Sequence, residues 1–282
     1  MFLHKTKAHS FILYLMYWIG IWPIHAELPT MNDKKWIGYF IGSENKDFRF
    51  QIDSKGKTRI LVFSEKETLL KKSLSVSIEF HIDEIMPDGK FTPRSIIVKS
   101  LESDQMATFK PKDIVISGKV IGDATFQIFI TENNGSISLG GRILEAGTLI
   151  KNPLRFSIKV KFPSAYSPNK AVAEKDKLEQ FKKAISQDRL QLILNDGKMI
   201  RRNTSHVVDA SSKEISGSGI SSAKLEYHAY EGKKFWLVAS PNSLMMLTSI
   251  PNKPLYAGLV FTWTANLAQD PEEKSRLTID IK

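Results

Sequence analysis

The chain has 282 residues, no cysteine, and 40 Lys and Arg against 30 Asp and Glu, a formal charge of +10. The missing cysteine excludes disulfides, iron–sulfur clusters, thiolate zinc sites and cysteine nucleophiles. With 42% hydrophobic and 25% charged residues the composition is that of a globular chain, and its length fits one large β-fold or two domains of roughly 100–150 residues.

Residues 1–26 have the order of an export signal. Lys5 and Lys7 supply positive charge, Phe11 to Trp22 form an apolar run, and Ala26 is a small residue suited to the edge of a cleavage site. The run is shorter than the roughly 20 residues a membrane-spanning helix needs, and no later segment reaches that length. The expectation is a signal peptide over 1–26 and an exported protein, periplasmic or secreted if bacterial.

From residue 27 the sequence alternates with period two, the mark of strands buried on one face. Phe48 to Asp53 is one such run and Leu74 to Asp83 a longer one. Leu154 to Phe162 sets Leu154, Phe156, Ile158, Val160 and Phe162 inward and Arg155, Ser157, Lys159 and Lys161 outward. Asn134-Gly135 separates two further runs and accepts the positive φ angles of a tight hairpin. About nine strands are expected before residue 163 and eight or nine after 189. Between them, Pro163 to Pro168 reads as a linker and Asn169 to Ser186 as a short helix, with Leu178, Phe181 and Ile185 on one stripe.

The expected fold class is therefore all-β. It comprises two antiparallel β-sandwich or barrel-like domains, 27–163 and 189–282, joined by a linker and one short helix over 164–188. Short segments recur in the same order. Asp88-Gly89-Lys90 is matched by Asp196-Gly197-Lys198, Ile116-Ser117-Gly118 by Ile215-Ser216-Gly217, and Asn152-Pro153-Leu154 by Lys253-Pro254-Leu255. They raise the expectation that the second domain is a diverged duplicate of the first.

Charge is spread evenly along the chain: 21 basic against 17 acidic residues over 27–166, and 17 against 13 over 167–282. No segment stands out as a phosphate-binding face. The compact basic runs Lys71-Lys72, Lys182-Lys183, Arg201-Arg202 and Lys233-Lys234 read as solvated ends of strands or helices. Net positive charge still attracts anionic polymers, and export makes nucleic acid a poor candidate.

The sequence contains no His-Glu-x-x-His, no Gly-x-Ser-x-Gly and no phosphate-cradling Gly-x-x-x-x-Gly-Lys. Ser-x-x-Lys occurs at a chance frequency. No catalytic residue, metal ligand or cofactor is expected. Binding candidates come instead from residues two apart in strands, which share a face. Glu79, His81 and Asp83 form one such row, and Glu226, His228 and Tyr230 another. Trp36 and Trp236 can stack on a sugar where they are exposed.

The function read from these features is an exported, non-catalytic binding or envelope-associated β-protein. Its partner is another envelope or extracellular protein, or an anionic surface polymer. Two other classes stay open at this point: a secreted hydrolase of glycans or lipids with carboxylates assembled by the fold, and a carrier of a small apolar ligand.

Overall fold

The computed structural model describes residues 27–63, 73–163, 183, 186–203, 219–227, 233–250, 258–265 and 274–282. The expected signal peptide and, apart from Lys183 and Ser186, the expected helix lie outside the described residues, as do His228 and Tyr230. Among the described residues, no helix is long and apolar enough to cross a membrane.

Among the described residues, ten strands precede residue 164. They are β1 (Tyr39–Glu44), β2 (Phe48–Asp53), β3 (Thr58–Phe63), β4 (Ser73–Ile85), β5 (Phe91–Arg94), β6 (Thr108–Phe109), β7 (Ile114–Lys119), β8 (Thr125–Asn133), β9 (Ser136–Glu145) and β10 (Leu154–Pro163). Seven follow: β11 (Arg189–Leu194), β12 (Met199–Asn203), β13 (Ile220–Tyr227), β14 (Lys233–Ala239), β15 (Ser243–Ile250), β16 (Gly258–Ala265) and β17 (Leu277–Ile281). The all-β expectation is met.

Side-chain chemistry explains the strands. In β10 the alternate residues Phe156, Ile158, Val160 and Phe162 are buried, each worth about 1.5–3 kcal/mol of apolar burial. Between them Lys159 and Lys161 carry charge on the other face, whereas Ser157, expected to face water, is fully buried and donates to Asp83. Asn134 and Gly135, at φ 51° and 91°, close the β8–β9 hairpin in the mirror-image turn that matches strand twist. The two Asp-Gly-Lys segments are also equivalent turns, linking β4 to β5 and β11 to β12. In each the Lys amide donates to the Asp carboxylate, at 3.0 Å from Lys90 to Asp88 and 2.9 Å from Lys198 to Asp196.

All the strands belong to one large curled sheet. One run of neighbours is β6–β1–β2–β3–β4–β10–β16–β15, and β5 extends the β3 edge of β4. The other is β7–β8–β9–β17–β14–β13–β11–β12. A bridge between Ile220 and Met245 joins β13 to β15. Both runs cross the expected boundary at residues 164–188. β10 pairs with β16 from Ser157↔Thr264 to Pro163↔Gly258, and β9 pairs with β17 from Leu139↔Leu277 to Ser136↔Asp280.

The inner faces of the two runs meet in a continuous apolar core. Phe162 of β10 packs edge-on against Phe235 of β14 at 5.1 Å and against Phe261 of β16 at 5.9 Å. Gly141 of β9 lets the Phe156 ring approach so closely that an added Cβ would lie 2.2 Å from it. Asp47, in the β1–β2 turn, forms an ion pair with Lys233 of β14. Phe40, Phe50, Phe126 and Trp263 are completely enclosed.

Candidate functional site

The row Glu79, His81, Asp83 lies on one face of β4, as parity requires. β10 runs beside it and supplies opposite charges. Lys161 Nζ lies 2.6 Å from Glu79, and Arg155 donates to Asp83 at 3.2 Å. His81 Nε2 sits 3.2 Å from Glu79 Oε2. Asp83 also accepts from buried Ser157 at 3.0 Å. The Arg155 guanidinium lies over the Phe91 ring at 3.6 Å. Burial raises the Glu79 carboxyl, but hydrogen bonds from Lys161 and His81 and their charges outweigh it and leave its pKa below the ordinary range. Burial, reinforced by the charge of Lys159, pushes the His81 imidazole down against the pull of Glu79 and Asp83. Glu84, on the opposite face, is held low by the Arg94 guanidinium and by the Asn152 amide at 2.6 Å. Each carboxylate is thus engaged by a cation across the strands. Among the described residues no three His, Asp or Glu groups converge to hold a metal ion.

Trp36 is enclosed rather than presented. Its indole lies against Gly42, where a Cβ would come within 2.5 Å of the ring. Tyr39 and Phe109 flank it at 6.0 and 5.6 Å, and the Arg49 guanidinium covers it at 5.2 Å. Arg49 is fixed in turn by Glu44 at 2.8 Å.

Trp236 has the opposite setting. Phe235 and Leu237 beside it in β14 point inward and are fully buried, so Trp236 points out and is 41% exposed. Register then brings four other strands to it. Arg201 of β12 stands opposite Gln191 of β11, Gln191 opposite Lys224 of β13, Lys224 opposite Trp236, and Trp236 opposite Asp280 of β17. In the next row Arg189 is opposite Glu226, and Glu226 opposite Lys234. Lys224 Nζ and Lys282 Nζ each lie 5.5 Å from the centre of the indole ring. Arg189, Gln191, Arg201, Arg202, Lys224 and Glu226 line a shallow concavity of about 680 Å³ next to it. Further along the same face, Arg142 and Arg276 bracket the Phe129 ring at 5.6 and 4.7 Å.

No family model matches the chain, and no curated protein matches it.

Of the sequence candidates, Trp236 and Glu226 share the basic face, Glu79, His81 and Asp83 share the β4 face, and Trp36 is packed inside the β1–β6 edge. Sequence reading missed Arg189, Gln191, Arg201, Lys224 and Lys282. Arg201 was visible only as half of a basic pair. The usable signal was parity. In Lys233 to Ala239 the inward Phe235, Leu237 and Ala239 leave Lys234, Trp236 and Val238 outside. The even distribution of charge along the chain hid the face, because β11, β12, β13 and β14 give it one cation each and only their pairing sets these side by side.

Proposed function

We propose that the protein is an exported, non-catalytic binding protein of the envelope or extracellular space, and that it holds an anionic surface polymer on the outer face of β12, β11, β13, β14 and β17. The observation that carries this reading is the set Arg189, Arg201, Lys224, Lys234 and Lys282 around an exposed indole, with Glu226 and Asp280 the acids among them. Such a surface concentrates a polyanion by its field and adds contact area at the aromatic ring. The depressed carboxyls of Glu79 and Glu84 are the reverse of the raised acid that glycoside hydrolysis requires. Export rests on the charged, apolar and small-residue order of residues 1–26.

The test is binding to dextran sulfate against uncharged dextran across a salt series. Dextran sulfate is retained and neutral dextran is not, and retention falls as salt rises. The double variant Arg201→Gln, Lys224→Gln weakens retention about tenfold, the effect of losing two partly exposed charge contacts. Equal behaviour of the two dextrans, or an unaffected double variant, refutes the reading. Mass measurement of the protein recovered from envelope or medium checks whether residues 1–26 are removed.

A further inference from the structure

We infer that the polymer is a carboxylated polysaccharide, with one sugar ring lying on the Trp236 indole and neighbouring carboxylates reaching the concavity of Arg189 and Arg201. This rests on the anionic-polymer reading above and goes further by naming the chemistry. A bare chain of phosphates or sulfates needs only cations. This face offers three things besides.

The first is a flat apolar plate, 41% exposed. The axial hydrogens of a pyranose present a matching apolar surface. The second is the placing of charge around that plate. Lys224 and Lys282 lie over the indole, each 5.5 Å from the ring centre, and the carboxylate of a sugar that stacks there would draw these flexible cations off the ring to its rim. The third is a pair of groups that a polyanion alone would not select. The Gln191 amide and the Glu226 carboxylate line the concavity together with the arginines. Glu226 repels an anion but accepts hydrogen bonds from hydroxyls, and Gln191 both donates and accepts. Cations, hydroxyl acceptors and a single ring plate together describe a uronic-acid chain.

A single-stranded nucleic acid also presents flat rings and negative charge, but it is typically held by successive aromatic side chains along a basic groove. Among the described residues of this face Trp236 is the one aromatic more than a third exposed, and Phe129, the next along it, is half-buried under Arg142 and Arg276. The concavity is shallow and lies across the strands, which suits an extended chain running over β13, β11 and β12.

The full chain is titrated with polygalacturonate, with inorganic polyphosphate of matched total charge, and with an oligothymidylate, all at one ionic strength. Polygalacturonate binds about tenfold more tightly per charge than polyphosphate, the scale of one good stacking contact. Trp236→Ala lowers polygalacturonate affinity about tenfold and polyphosphate affinity about twofold at most, and Trp236→Phe recovers part of the loss. Glu226→Ala weakens polygalacturonate and strengthens polyphosphate, a change of opposite sign that a misfolded variant cannot produce. Equal affinity for the two polyanions, or equal losses on both in Trp236→Ala, overturns the sugar assignment while leaving the anionic-polymer reading standing. Tightest binding to the oligothymidylate overturns it in favour of nucleic acid. No binding to any of the three overturns both readings.

Discussion

Replacing Phe162 by alanine tests whether the two stretches on either side of residues 164–188 share one core. Phe162 is 1% exposed, belongs to β10, and touches Phe235 and Phe261, which lie beyond that stretch. Removing the ring forfeits about 2 kcal/mol of transfer free energy. It also opens a cavity on the order of 100 Å³, which costs about 2 kcal/mol more at roughly 24 cal/mol per Å³. The sum of about 4 kcal/mol falls within the range of about 3–5 kcal/mol seen for buried aromatic truncations. In guanidinium, with a slope of about 5 kcal/mol/M, the midpoint drops by about 0.8 M. The assay is equilibrium unfolding followed by far-ultraviolet circular dichroism and by tryptophan fluorescence. Trp36 reports from the first stretch and Trp236 and Trp263 from the second. The expected result is one transition, coincident by both probes, that moves as a unit in the variant. Two separate transitions, or a shift below about 1 kcal/mol, which is far short of a buried aromatic truncation, would refute the shared-core argument.

Four further outcomes are expected. Gly141→Ala destabilises by about 1–3 kcal/mol, because the methyl group meets the Phe156 ring and must displace it; thermal melting measures this. Asp83→Ala leaves Ser157 and the Arg155 guanidinium without their carboxylate and costs about 3 kcal/mol, read from the denaturation midpoint. The folded protein holds both the His81 and Glu79 pKa values below their ordinary values of 6.5 and 4.5, so in each window the unfolded chain binds more protons. Stability is full above pH 6.5, falls as pH drops below 6.5 through the histidine window, and falls again below 4.5; His81→Phe and Glu79→Gln each flatten their own part of that profile. Finally, iodide quenches the fluorescence of Trp236 more efficiently than caesium, since Lys224 and Lys282 flank the ring, and Trp236→Phe abolishes the difference in a Stern–Volmer comparison.

Much of the local structure was legible in the residues. The alternation in Leu74 to Asp83 and Leu154 to Phe162 foretold β4 and β10 and most of the apolar residues they bury, but not that Ser157 and Asp83 on the other face would be buried as well. Asn134-Gly135 foretold the β8–β9 hairpin. Period two also placed Glu79, His81 and Asp83 on one face. It could not say that β10 would lie alongside and neutralise them with Lys161 and Arg155. Alternation fixes the face of a residue within its strand, whereas adjacency between strands depends on contacts spread over the whole chain. The β10–β16 ladder joins residues about a hundred positions apart, and β9–β17 joins still more distant ones. Local pattern carries no record of such pairings. The basic face around Trp236 was hidden for a related reason: Arg189, Arg201, Lys224 and Lys234 come one each from β11 to β14 and Lys282 from just past β17, and only pairing sets them side by side.

The ladders between β10 and β16 and between β9 and β17 have a consequence for any attempt to divide the polypeptide. A nick between Pro163 and Arg189 would give two fragments, each with raw main-chain donors and acceptors where its former neighbour had been. Co-produced, such pieces are set up to find one another and rebuild the sheet, a route to a split reporter. Made singly, each would offer the same bare edges to copies of itself, and precipitation rather than a tidy half-protein is the expected product.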